Sequence, residues 1–203
     1  MRTHVKICGI TQPTDATMAA LCGASAIGLV FWPSSPRYVD EAQARAIIAA
    51  VPPLVSVVGV FVNQVDEAKR LVLELGLSAV QFHGDETPMD CRNVGVRVIK
   101  AVPVLDESAI AAAAAFPAEV TVLLDAHDPI KRGGTGATID WDIARRIAQQ
   151  RLTILSGGLT PDNVADAVRA VRPWAVDVSS GVEYQPGHKD IAKMRAIFAE
   201  ICV

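Results

Sequence analysis

VSVVGVFVNQVDEAKRLVLELGLSAVQFHG, residues 55–84, holds the pattern from which the rest of the chain can be read. Val55 to Phe61 is an apolar run without strict alternation, as expected of a parallel strand covered on both faces. Val65, Ala68, Leu71, Val72 and Leu75 then recur at three- and four-residue spacing, which makes one apolar helix stripe, and Gly76 supplies a stop. A second apolar run follows at 78–82. Strand, helix and strand in this order predict a parallel pair joined by a helical crossover.

Similar apolar runs lie at 4–7, 26–31, 96–101, 119–124, 152–155 and 175–178, so that eight strands recur with a beat of roughly 25 residues. Most are followed by a helix-like stretch. Pro52 and Pro53 end the second helix, Thr160 and Pro161 start a later one with Val164, Ala167, Val168 and Val171 inward, and a last helix over about 189–201 buries Ile191, Met194, Ile197, Phe198 and Ile201. The expected fold is an α/β chain forming a single-domain (β/α)8 TIM barrel over 1–203. A doubly wound open sheet shares the alternation of elements, but eight regular units without a dinucleotide fingerprint favour closure.

The 203 residues are 51% hydrophobic and 20% charged, enough apolar material for a sizeable core in one domain near the lower size limit of such barrels. A formal charge of −3 and 5% aromatic residues lack the electrostatic and stacking signatures of nucleic-acid binding. No apolar stretch approaches the ~20 residues that span a bilayer, and no signal-peptide pattern follows Met1 to Lys6, so a cytoplasmic protein without membrane contact is expected. Cys8, Cys22, Cys91 and Cys202 form no CxxC pair and are expected to be reduced.

Barrels of this kind build their chemistry at the carboxyl ends of the strands. Those positions carry Cys8, Arg37 in the second loop, Asn63, Gln81, His83, Lys100, Asp125, Ser156 to Gly158, and Asp177 to Gly181. A cysteine is often plain packing, but Cys8 follows Lys6 and precedes Gly9, and a thiol needs only a modest electropositive influence to act as a base. Asp125 is either a loop cap or a deliberately placed acid; burying a carboxylate there without purpose would cost several kcal/mol. The glycines at 133, 134 and 136 suit either a hinge or a close backbone approach to a ligand. Glycine-containing turns after the seventh and eighth strands suit a phosphate. Arg37 suits a carboxylate or is a surface arginine. His83 and His127 lack metal-ligand spacing.

Several stretches together resemble the phosphoribosylanthranilate isomerase family over nearly the whole chain: KICGIT (6–11), SPRYV (35–39), GVFVN (59–63), AVQFHGDE (79–86), LLDA (123–126), GGTG (133–136), LSGGLTPDNV (155–164), DVSSGVE (177–183) and PG (186–187). The resemblance implies a tryptophan-biosynthesis enzyme with Cys8 as general base and Asp125 as general acid. Arg37 would hold the anthranilate carboxylate, and the seventh and eighth loops the phosphate. The expected substrate-binding set is Arg37, Gln81, His83, Gly133, Gly134, Gly157, Gly158, Asp177, Ser180 and Gly181. The implied reaction is an Amadori rearrangement of a phosphosugar anthranilate, run without metal or cofactor by a monomer or homodimer. A metal-dependent sugar-phosphate epimerase using His83, Asp125 and His127 is one rival. The dual-substrate isomerase that also serves histidine biosynthesis is another, disfavoured because it resembles an aspartate pair where this chain has Cys8. A non-catalytic phospho-ligand binder would have no reason to keep Cys8 and Asp125 together.

Overall fold

A computed structural model describes residues 3–126 and 139–201. Eight strands close in chain order into one barrel: β1 (His4–Cys8), β2 (Ala26–Val30), β3 (Ser56–Phe61), β4 (Ala79–Phe82), β5 (Arg97–Pro103), β6 (Thr121–Asp125), β7 (Thr153–Leu155) and β8 (Ala175–Val178). Every neighbouring pair is parallel, and β8 pairs with β1. Following the paired residues from Ala26 once around to Lys6, the register advances by 8 residues, the stagger of a (β/α)8 barrel.

Alternation along each strand divides the apolar residues between two cores. Val58, Ala79, Ile99, Ala101, Leu123, Ile154 and Ala175 pack together inside the barrel, small residues fitting between larger ones. Their chain neighbours, such as Ile7, Ile27, Phe61, Val80, Leu124 and Val176, join the larger core outside the sheet. That core is covered by α1 (Pro13–Cys22), α2 (Glu41–Ala49), α3 (Val65–Leu75), α4 (Ser108–Ala114), α5 (Trp141–Ala148), α6 (Val164–Val171) and α7 (Ile191–Ile201). The stripe anticipated on α3 is the one buried: Ala68, Leu71, Val72 and Leu75. None of the described helices is long and apolar enough to cross a membrane.

Three local expectations are corrected. β5 runs on to Pro103, so Lys100 is not at a strand end. It shares the outward parity of Val98 and Val102, and its ammonium donates to Gly84 O at 2.7 Å and to Glu86 Oε2 at 3.2 Å. This buried pair sits where residues 83–96 connect β4 to β5 without an α-helix. Next, α6 begins at Val164 and not at the Thr160–Pro161 signal, because Asn163 folds 160–163 into a turn by accepting from Thr160 N and donating to Gly158 O. Finally, Lys189 lies outside the last helix. It belongs to a short hairpin of β9 (Glu183–Gln185) and β10 (His188–Lys189), laid over the β1–α1 loop where Thr11 Oγ1 donates to Gly187 O.

Candidate active site

Because all eight strands are parallel, their carboxyl ends share one mouth, and Cys8 and Asp125, the last residues of β1 and β6, both stand there. Both are nearly closed off from solvent, at 7% and 5% exposure. Around the mouth the expected residues fall into three groups, with Gly133, Gly134, Gly136 and His127 lying outside the described residues.

The first group surrounds Cys8. Lys6, two residues earlier and on the same inward face of β1, forms a 2.8 Å ion pair with Asp177 of β8 inside the barrel. Lys189 donates from β10 to Cys8 O, to Ser179 O and, at 2.7 Å, to Glu183 Oε1. Arg37 reaches in from the β2–α2 loop and forks onto Glu183, Nε to Oε1 at 2.9 Å and Nη2 to Oε2 at 2.7 Å. Its stem crosses Gly9, where a Cβ would collide with Arg37 Cδ and lie 3.2 Å from Ser179 Oγ; the φ of +72° independently favours glycine. Thus loops one, two and eight converge over a single glycine.

Electrostatically this group is a cluster of three cations and two carboxylates about one sulfur. Burial pushes the Cys8 thiol up, Lys6 and Lys189 pull it down, and Asp177 pushes it up; the net direction is upward. The modest electropositive lowering anticipated for this thiol is present but is outweighed by burial. Burial pulls Lys6 down, yet Asp177 and Cys8 overcome it and hold its ammonium above the usual range. For Lys189 burial prevails over Glu183 and the direction is downward. Glu183, raised by burial, is held below the ordinary carboxylate range by Arg37 and Lys189.

The second group is a hydrogen-bonded row ending at Asp125. Gln81 Nε2 lies 3.0 Å from His83 Nδ1, and His83 Nε2 lies 3.1 Å from Asp125 Oδ2. With the amide NH2 donating to Nδ1, the ring proton is on Nε2 and points at the carboxylate. The other amide atom, Gln81 Oε1, is buried without a hydrogen-bond partner. Inverting the amide would make Oε1 the acceptor of a hydrogen bond from Nδ1–H, leaving Nε2 to accept a hydrogen bond from a protonated Asp125.

The third group is backbone. Loops seven and eight touch so closely that a Cβ at Gly181 would collide with Leu159 O, and Gly157 is packed so that a Cβ would lie 2.9 Å from Ala126 N. Among the described residues the N–H groups of Gly157, Gly158, Ser180 and Gly181 donate to no backbone carbonyl, and Ser180 to Val182 form a short 3-10 turn. Unpaired amides converging at a turn suit an anion.

The residues that the strand-end rule did not find are Gly9, Glu183 and Lys189. The resemblance included Gly9 and Glu183 within quoted stretches but gave them no role. The signal for Glu183 and Lys189 is a charge pattern in which a carboxylate and a lysine six positions apart flank a Pro-Gly turn.

A family model described as N-(5′-phosphoribosyl)anthranilate (PRA) isomerase matches residues 5–200. A relative from Citrifermentans bemidjiense, named N-(5′-phosphoribosyl)anthranilate isomerase, is 49% identical over 199 residues, spanning 98% of this chain and 96% of its own. The crystal structure of phosphoribosyl anthranilate isomerase from Thermotoga maritima superposes with a TM-score of 0.91 at 40% identity, covering 98% of each chain. Another solved isomerase, in complex with reduced 1-(o-carboxyphenylamino)-1-deoxyribulose 5-phosphate, gives a TM-score of 0.87 at 39% identity, again covering 98% of each chain. Family match, identity over nearly the full length and a shared closed barrel agree: this chain is an isomerase and belongs to the N-(5′-phosphoribosyl)anthranilate isomerase family.

Proposed function

We propose that the protein converts N-(5-phosphoribosyl)anthranilate to 1-(2-carboxyphenylamino)-1-deoxyribulose 5-phosphate, an Amadori rearrangement in tryptophan biosynthesis, by general acid and base catalysis. The observation that carries the reading is the placement of a thiol and a carboxyl group at one mouth, in unlike surroundings: Cys8 among cations, Asp125 at the end of a Gln81–His83 row. The solved relative in complex with a reduced form of that product supports the substrate class.

In this mechanism Asp125 gives its proton to the furanose ring oxygen as the C1–O bond breaks, and the anthranilate nitrogen lone pair forms the C1 iminium. Cys8, as thiolate, takes the proton on C2, and the electron pair of that C–H bond moves to neutralise the iminium as an enolamine. Ketonisation moves a proton onto C1 and releases that of the 2-hydroxyl, restoring acid and base. The iminium is a transient cation, so it favours the thiolate at the moment when a base is needed and offsets the effect of burial on Cys8. The acid must begin protonated; the row accommodates this with the ring proton on Nδ1 donated to Gln81 Oε1 and His83 Nε2 accepting a hydrogen bond from the Asp125 carboxyl O–H.

The substrate is anionic at both ends. Loops seven and eight, through Gly157, Gly158, Ser180 and Gly181, would take the phosphate. Arg37 would take the anthranilate carboxylate with the Nη N–H groups that Glu183 leaves open. Each proton transfer is worth roughly 10²- to 10⁴-fold. Steady-state kinetics on Asp125→Asn and Cys8→Ala should therefore show kcat reduced by about that factor with KM little changed. Normal turnover in either variant would remove that residue from its role.

A further inference from the structure

Inside the barrel, beneath the Cys8 sulfur, lies the buried pair Lys6–Asp177, a charge pair at a depth where most inward residues are apolar. Lys6 and Cys8 share the inward face of β1, and across from them on β2 the residue paired with Cys8 is Gly28. A Cβ at Gly28 would lie 2.7 Å from Cys8 Sγ and 3.1 Å from Lys6 Nζ. The sulfur and the ammonium thus occupy the space that any other residue at position 28 would fill. Resting on the reading of Cys8 as the base, we propose that Lys6 is a positioning residue for the reaction: anchored by Asp177 and admitted by the missing side chain at Gly28, its ammonium makes the Cys8 thiolate accessible in a largely apolar barrel.

Every charged group facing the sulfur bears on this. Lys6 on β1 and Lys189 on β10 favour the thiolate, Asp177 on β8 opposes it, and Arg37 from the second loop also interacts with Cys8. Lys189 and Arg37, however, are both held by Glu183, which offsets their charge. Lys6 is similarly offset by Asp177, but its ammonium lies among the atoms nearest the space over Gly28, next to Sγ. The two members of the inner pair therefore act on the sulfur with opposite sign, so removing each should move its ionisation in opposite directions.

The test is the pH dependence of Cys8 alkylation by iodoacetamide in the intact protein, followed on the Cys8 peptide by mass spectrometry so that Cys22, Cys91 and Cys202 do not contribute. Lys6→Met should raise the midpoint by about one pH unit or more, slowing alkylation about tenfold below it, and Lys6→Arg should restore much of it. Asp177→Asn should lower the midpoint. An unmoved midpoint in Lys6→Met, or an unmoved or raised one in Asp177→Asn, overturns the proposal. Should Lys6→Met not fold, Asp177→Asn decides alone. Shifted midpoints beside a fully active Cys8→Ala enzyme would leave this electrostatic unit standing and end the reading of Cys8 as base. Unmoved midpoints beside an inactive Cys8→Ala would do the reverse.

Discussion

At the residue scale the site is governed by what each charged group is made to face. Burial of Cys8 outweighs the lysines near it, so its thiol ionises less readily than an ordinary cysteine. In Asp125→Asn, where the acid no longer contributes to the pH dependence, residual kcat/KM should climb about tenfold per pH unit and still be rising above about pH 8 if the Cys8 thiolate is the base, because the ionised fraction grows until the raised pKa is passed. A residual profile already flat at about pH 7 in that variant would place the base elsewhere. Arg37 has two of its N–H groups committed to Glu183, so it is held rather than free to swing. Arg37→Ala should raise KM by one to two orders of magnitude, roughly the worth of a charge-assisted hydrogen bond, with a smaller effect on kcat. An unchanged KM would remove it from the carboxylate site. Cys8 and Asp125 were legible in the sequence because each closes an apolar run, and Arg37 because it stands in a loop stiffened by Pro33 and Pro36. Glu183 was not, because its partner Arg37 is 146 positions away and nothing local marks the pairing.

At the element scale, periodicity located the strands and most helices, but side-chain hydrogen bonds decided where they stopped. Asp40 starts α2 with a capping box to Gln43. The delayed start of α6 depends on Asn163 folding back on its own loop, which apolar spacing cannot report. The same applies to Lys100: with no α-helix between β4 and β5, its outward ammonium is met by Glu86 and a carbonyl instead of apolar side chains. Lys100→Met should cost about 3–5 kcal/mol, since Glu86 would remain buried without its cation. Denaturant unfolding would check this, and a loss under about 1 kcal/mol would mean that Glu86 is satisfied by the N–H groups of Asn63 and Gly84 that it already accepts.

At the scale of the whole molecule, the barrel was readable because eight apolar runs and their intervening helices leave few ways to cover both faces of a parallel sheet. The sequence did not show how the ends of the ring are fastened. The first and last strands pair directly, Lys189 N donates to Asp15 at 3.0 Å, and the Glu183–Lys189 hairpin lies on the β1–α1 loop. The proposed base stands on β1, whereas the proposed phosphate loops follow β7 and β8, so the two come together only across this seam. During refolding, recovery of isomerase activity should lag secondary-structure signals and coincide with the slowest tertiary signal. Substantial turnover before that phase would contradict it. The seam thereby acts as an assembly checkpoint: in the proposed mechanism a chain still lacking its final strand already has Cys8 and Asp125 but no closed mouth to bring them over one phosphate anchor.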